Sequence, residues 1–309
     1  MASAAFPPTF SVSASHSKTS KPSEAVSVGS KDRLSTQERW EVSYQAEAHS
    51  LGPKAWAHGV FGRLLGAQTI KLFRDYDEWL LWEVLYPKHL PPGIGRKALE
   101  IGSAPGTNLI ELHRRFGFEP YGVEYTPSGA EKNRALFSAN GLKPENVVEA
   151  DVFSDEFCSR FRDQFDVVLS RGFIEHFKDP GAVVRTHLAL LKRGGTLVIE
   201  VPNFRGIYYA WYLFFRRSVL TWHNFETIKS GNFQHLFDLP ELEGKFCGSY
   251  GTLSLNMFIP PQNAVGRVLM AIRSVPQAMI NCGLHVLFKR GGPETALFSP
   301  RLLYVGVKK

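Results

Sequence analysis

The stretch KALEIGSAPGTNL, residues 97–109, decides how the chain reads. Its first five residues are mostly apolar and short enough for a strand. It turns on Gly102 and Gly106, and NLIELHRRF then carries apolar residues at helical spacing. Strand, glycine turn and helix in that order open a βαβ unit, a common receiver of nucleotides. The turn itself departs from the usual receiver. A dinucleotide fingerprint is GxGxxG, with free N–H groups facing a pyrophosphate. Counted from Gly102, Ala104 and Thr107 stand where the later glycines belong. Pro105 donates no N–H at all. An anionic phosphate is a poor guest there, and a ribose with a base but no phosphate fits better.

Outward from this turn the pattern repeats. Strand candidates are PYGVE (120–124), NVVEA (146–150), FDVVLS (165–170) and TLVIEV (196–201), with helical stretches at 108–116, 128–140, about 155–161, and 181–191. KRGG at 192–195 reads as the turn before the fifth strand. Short apolar strands separated by helices predict right-handed βαβ units on a parallel sheet. Two later strand candidates, TLSLNMFI (252–259) and RLLYVGV (301–307), flank a helical segment at 263–288. The expected fold is α/β, a doubly wound and mostly parallel seven-stranded Rossmann-like sheet. Helices precede it: TQERWEVSYQAEAHS has Thr36 as a capping residue, and 70–86 is amphipathic. PPG at 91–93 breaks the chain.

Three regions follow. Residues 1–34 are serine-rich, reach their first acidic residue only at Glu24, and are expected to lack structure. Residues 35–93 form a helical cap, and 94–309 form the ligand-binding domain, with a cover at about 204–238 and 263–288. The three cysteines are far apart and form no CxxC pair, which argues against a disulfide framework or a structural zinc site. That usage predicts a reducing, cytoplasmic setting. An organelle is the alternative if the Ser-rich start is a transit peptide. The net charge of +7 is spread along the chain and reads as a solvated basic surface, so nucleic acid is not the expected partner.

In a doubly wound sheet, ligands bind beyond the carboxyl ends of the strands. Those ends carry Glu100–Gly106, Glu124, Asp151 and Ser170–Gly172. Gly102 and Gly106 permit a tight turn and close approach. Glu124 can accept hydrogen bonds from ribose hydroxyls. Asp151 can take an exocyclic amine of a purine, and the Val152 N–H can serve a ring nitrogen.

Together ALEIGSAPGTNL, YGVEYTPSGAEKNR, EADVF, FDVVLSRGFIEHFKDP and LLKRGGTLVIEVPN resemble, in order and spacing, the motifs of class I S-adenosylmethionine-dependent methyltransferases. The resemblance covers about 96–203 and is nearest the small-molecule branch that includes quinone and lipid methyltransferases. That family usually has a third glycine where Ala104 stands, and tolerates small residues there. The resemblance implies S-adenosylmethionine as cofactor, with Glu100, Gly102, Ser103 and Gly106 around its methionine part. It implies Glu124 and Tyr125 at the ribose, Asp151 and Val152 at the adenine, and Ser170 and Arg171 near the reacting methyl.

Methyl transfer to a hydroxyl also needs a proton acceptor. His176 in the EH pair, and His223 and His235 in the following cover, are the candidate bases. In some relatives E-x-x-E-H at this place holds magnesium or another divalent ion. Here the first position is Gly172, and one carboxylate with one imidazole makes a poor magnesium cage, so no catalytic metal is expected. The apolar run 206–215 is too short to span a bilayer and ends at Arg216–Arg217. It can be a buried helix, line an apolar acceptor pocket, or rest on a membrane surface. The expected activity is O-methylation of a small hydrophobic or aromatic molecule. The alternatives are N-methylation, RNA methylation and a non-catalytic cofactor-binding module. A nicotinamide oxidoreductase is disfavoured by Pro105 and the missing glycines.

Overall fold

The computed structural model describes residues 32–48, 72–259, 266, 268, 269, 272–289 and 291–309. Its strands are β1 (Lys97–Ile101), β2 (Glu119–Glu124), β3 (Val147–Glu149), β4 (Phe165–Arg171), β5 (Leu191–Pro202), β6 (Leu242–Tyr250) and β7 (Arg301–Lys308). They form one seven-stranded sheet in the order β3-β2-β1-β4-β5-β7-β6. Strands β1 to β5 are parallel, and β7 enters antiparallel between β5 and β6. The order reverses at β1, between β2 and β4, which places a crevice beyond their carboxyl ends.

The central strands are apolar on both faces because helices cover both. Leu99, Ile101, Val168 and Ile199 point into one core. Ala98, Val167, Leu169 and Val198 point into the other. The covering helices are α1 (Gln37–Ala48), α2 (Tyr76–Leu80), α3 (Tyr86–His89), α4 (Thr107–Phe116), α5 (Pro127–Ala139), α6 (Asp155–Phe161) and α7 (Pro180–Leu190). Their starts have local causes. Ser154 Oγ accepts from Phe157 N at 3.3 Å to open α6. Asp179 Oδ1 accepts from Ala182 N at 3.0 Å to open α7, whose first residue is Pro180. After β5 come short helices, α8 (Ile207–Phe215), α9 (Arg217–Leu220), α10 (Phe225–Ile228) and α11 (Ser230–His235), and later α12 (Ser274–Leu287).

Several boundaries differ from the expectation. KRGG at 192–195 is not a turn ahead of the fifth strand. It is a bulge within β5, between the pairings Phe165↔Leu191 and Val167↔Thr196. The strand expected at 252–259 is a loop with a single 3-10 turn. Its backbone is satisfied by side chains: Ser254 N donates to Tyr208 Oη and Leu255 N to Gln277 Oε1. Strand β6 takes its place. Only its ends, Leu242 and Tyr250, are buried, so this edge strand shows no alternation in the sequence. The amphipathic stretch 70–86 becomes helical at Tyr76, with a π turn over Leu81–Leu85 linking α2 to α3. Of the predicted helical segment 263–288, α12 accounts for the later half, and most of 263–271 lies outside the described residues. The Ser-rich tail is described only from Asp32. There it is ordered, with Leu34 N donating to His176 O and Lys178 N to Asp32 O. Residues 1–31 lie outside the described residues.

Candidate active site

The glycine turn after β1 spends its N–H groups on the protein. Gly102 N and Ser103 N both donate to Val123 O, at 3.0 and 3.2 Å. The Ala104 N–H bonds the Glu124 carboxylate, and Pro105 has none to give. Residues 102–105 therefore offer nothing to a phosphate. Gly106 sits at φ 100°, where an added Cβ would lie 2.2 Å from Asn133 Oδ1. Asn133 Nδ2 in turn donates to Ser103 Oγ at 2.6 Å, which packs α5 tightly against the turn.

Beyond this turn lies a cavity of about 250 Å³. Gly102, Glu124, Tyr125, Asp151, Val152 and Arg171 line it together with Phe173. Glu124 is buried, and its Oε1 accepts from Thr126 N and Oγ1 at 3.0 and 2.8 Å. Burial pushes its pKa up, against the pull of the Thr126 donors. Asp151 Oδ1 accepts from Phe153 N at 3.1 Å, and its Oδ2 pairs with Arg33 at 2.5 Å. The Arg33 guanidinium lies 4.9 Å over the Tyr125 ring and 5.6 Å over Phe153. Ser35, Trp40 and Tyr44 complete this outer wall. Two carboxylates, aromatic and aliphatic walls, and a turn without spare N–H groups suit a nucleoside that carries no phosphate.

A second cavity, about 350 Å³, adjoins the first: Arg171, Gly172 and His176 line both. Its polar side is a buried charge network. Arg171 Nε bonds Glu200 Oε2 at 2.8 Å, Nη2 bonds Glu78 Oε1 at 2.6 Å, and Nη1 bonds Asn108 Oδ1 at 2.7 Å. Burial opposes the Arg171 charge, but Glu200 and Glu78 outweigh it and hold the guanidinium protonated. Burial likewise opposes the Glu78 charge, yet Arg171 pulls that carboxyl down to about 2. Arg301 stands 3.6 Å from both Glu200 and Asp77. The other side is apolar, with Phe204, Tyr212, Met257 and Ile259.

His176 and His223 face this second cavity beside Glu175. Their rings are 4.6 Å apart between centroids. His176 Nδ1 lies 2.9 Å from Trp222 O, and His223 Nδ1 lies 2.6 Å from Val219 O. A carbonyl only accepts, so each Nδ1 carries the hydrogen. Burial, with His223 alongside, pushes His176 down to about 3, and burial pushes His223 down to about 4. Both rings are neutral near pH 7, with the Nε2 lone pair bare.

Four predicted cofactor residues lie off the cavity walls. Glu100 is buried, with Oε1 bonded by Asn108 Nδ2 at 2.7 Å. Burial pushes its pKa up to about 8. Ser103 and Gly106 shape the turn from behind. Ser170 Oγ meets His187 Nε2 at 3.0 Å, on the side away from the cavities. His235 is an exposed residue bonded to Asp238 at 2.7 Å and lines neither cavity. Sequence reasoning missed Arg33, Trp40 and Tyr44, and it missed Glu78, Glu200 and Arg301. The i, i+4 aromatic pair Trp40 and Tyr44 was a usable signal. Nothing local marks the others, because only the tertiary fold brings them to the strand ends.

Fold and site together describe a doubly wound sheet with a cavity at its switch point and a second cavity beside it. A family model described as a methyltransferase domain matches residues 72–245, more than half of the chain, and the chain belongs to that family. It is a class I S-adenosylmethionine-dependent methyltransferase, and S-adenosylmethionine is its cofactor. Among curated relatives, a tRNA U34 carboxymethyltransferase of Desulfotalea psychrophila is 27% identical over 183 residues, 59% of this chain and 53% of that protein. A ubiquinone biosynthesis O-methyltransferase of Bordetella avium is 31% identical over 110 residues, 35% of this chain and 44% of the relative. The chain thus spans about half the length of the curated relatives it matches. The solved structure of the MccD protein aligns with TM-score 0.51 and 12% identity over 73% of this chain and 95% of that one, a likeness of fold alone.

Proposed function

We propose that the chain methylates an oxygen of a small acceptor that has an apolar or aromatic face and at least one hydroxyl. The observation that carries this is the junction of the two cavities at Arg171, Gly172 and His176. An acceptor in the second cavity faces the first across that junction. When bound, S-adenosylmethionine supplies a methyl already activated on a sulfonium, so the chain mainly aligns and excludes water. Glu124 holds the ribose hydroxyls. Asp151 and the Val152 N–H hold the adenine, under the roof made by Arg33. Phe204, Tyr212 and Met257 contact the acceptor's apolar face. A bare Nε2, of His176 or of His223, accepts the hydrogen bond of the acceptor hydroxyl and takes its proton as the methyl passes from the sulfonium to the oxygen. The ubiquinone-directed relative supports an oxygen acceptor of this kind.

Incubation with methyl-labelled cofactor and a panel of small phenols and hydroxylated quinones, followed by mass spectrometry, tests the reading. Label on an acceptor oxygen is expected. Label found only on nitrogen or only in RNA would overturn it. RNA is the second reading, favoured by the tRNA-directed relative; salt-dependent tRNA binding would support it. Exposed apolar side chains on α8 and α12, among them Phe214, Phe215, Val275 and Met279, support a peripheral contact with a lipid surface. No helix among the described residues is long and apolar enough to cross a membrane.

A further inference from the structure

Glu175 is the least explained side chain of the second cavity. It is buried, and neither of its carboxylate oxygens has a hydrogen-bond partner among the described residues. A buried carboxyl left unsatisfied is costly, so a partner is expected in the working molecule. His176 is not that partner, since its Nε2 stands 3.9 Å from Glu175 Oε1, beyond hydrogen-bond reach.

The three side chains offer acceptors only. Glu175 brings a carboxylate, and His176 and His223 bring Nε2 lone pairs because both Nδ1 atoms are tied to carbonyls. One ligand atom from each lies within 4.8 Å of the other two. The two segments that supply them are pinned together. Asn224 N donates to Glu175 O at 2.6 Å, and Asn224 Nδ2 donates to Phe177 O at 3.0 Å. His176 itself is anchored on Trp222 O.

We propose that Glu175, His176 and His223 bind one divalent transition-metal ion at the floor of the acceptor cavity. Two imidazoles and one carboxylate suit zinc, manganese or iron(II); magnesium and calcium prefer all-oxygen sets. The magnesium pattern of some relatives would need a carboxylate at 172, where this chain has glycine. The third ligand comes instead from His223, which follows β5 in the chain and whose ring lies beside His176. A zinc ion at about 2.1 Å from each ligand sets them roughly 3.4 Å apart. Binding therefore draws the Glu175 carboxylate inward from its present spacing. Three protein ligands leave a position open toward the cavity, the arrangement of catalytic rather than structural ions. An ion there holds the acceptor oxygen in place of direct contact with the imidazoles, and it lowers the pKa of that oxygen. The ion-binding claim stands on the geometry alone, and its catalytic use rests on the function proposed above.

The test uses the full chain stripped with chelator. Zinc and magnesium are titrated by calorimetry, and cobalt(II) is followed by its visible absorption. One equivalent of zinc should bind, magnesium should not, and cobalt should give the intense bands of a four-coordinate site. His223→Asn should weaken zinc binding at least about ten-fold while S-adenosylmethionine binding and the thermal melt stay unchanged. Glu175→Gln should weaken it similarly. If stripped protein takes up no zinc, or if His223→Asn and the parent bind zinc equally, the proposal is overturned. Either of those results leaves cofactor binding and methyl transfer intact as separate readouts, so the proposed function would survive it.

Discussion

The two cavities were built in different ways. The first is assembled from consecutive strand ends. Glu124 ends β2, Asp151 follows β3, and Arg171 ends β4, each at a place set by a local strand-then-helix pattern. The second is assembled at long range. Glu78 on α2, Glu200 on β5, His223 between α9 and α10 and Arg301 on β7 meet around Arg171. A cofactor shared by a whole family can be held by local motifs. The second cavity, which we propose takes the acceptor, comes from parts of the chain that carry no common pattern. Arg171 belongs to both cavities, and so it is the residue whose loss should damage the most.

Arg171→Ala should produce the largest effect. It leaves the buried Glu200 and the partly exposed Glu78 without this partner, and breaking a buried pair costs about 3–5 kcal/mol. Urea unfolding should show that loss. If stability falls by less than about 1 kcal/mol, the network is not held by this residue.

Gly106→Ala comes next. It forces a Cβ against Asn133 at a positive φ, a strain of about 1–3 kcal/mol. The same unfolding assay should detect it, and a neutral result would mean that the turn is not fixed by α5.

Glu100 gives a pH signature. Its pKa is pushed up to about 8 by burial. The folded chain therefore keeps a proton that the unfolded chain releases above about pH 4.5. That contribution to stability is complete below about pH 4.5 and is lost as pH rises towards 8, with a slope no greater than about 1.4 kcal/mol per pH unit. Unfolding midpoints of the cofactor-free protein across that window should fall with pH. Glu100→Gln should flatten the fall, and an unchanged slope in that variant would remove Glu100 as its source.

His235→Ala should be the mildest change, within about 0.5 kcal/mol of the parent and with unchanged methyl transfer. A substantial loss of transfer would bring α11 back into the site.

Legibility followed the same division. Strand β1 and helix α6 fall at their expected boundaries, because apolar runs and caps are local signals. Strand β6 was hidden, since an edge strand with exposed side chains has no alternation to read. The loop at 252–259 mimicked a strand because its apolar residues, Met257 and Phe258 among them, pack into the core and against Tyr208 and Trp211 of α8 instead of a sheet neighbour. Glu124 and Asp151 could be read from their positions at strand ends. Arg33 could not, because it reaches Asp151 across 118 positions of chain. The charge network was hidden for the same reason: an isolated Glu78 or Arg301 looks like any surface residue until the fold brings it beside Arg171 and Glu200.

On the function proposed above, the turn after β1 serves a nucleoside held by Glu124 and not a dinucleotide phosphate. Calorimetry of S-adenosylmethionine and NAD with the parent and with Glu124→Ala tests it most directly. The parent should bind S-adenosylmethionine and not NAD. Glu124→Ala should lose roughly 10- to 100-fold in affinity, the worth of hydrogen bonds to a charged acceptor. Equal S-adenosylmethionine binding by Glu124→Ala, or tighter binding of NAD by the parent, would contradict the account.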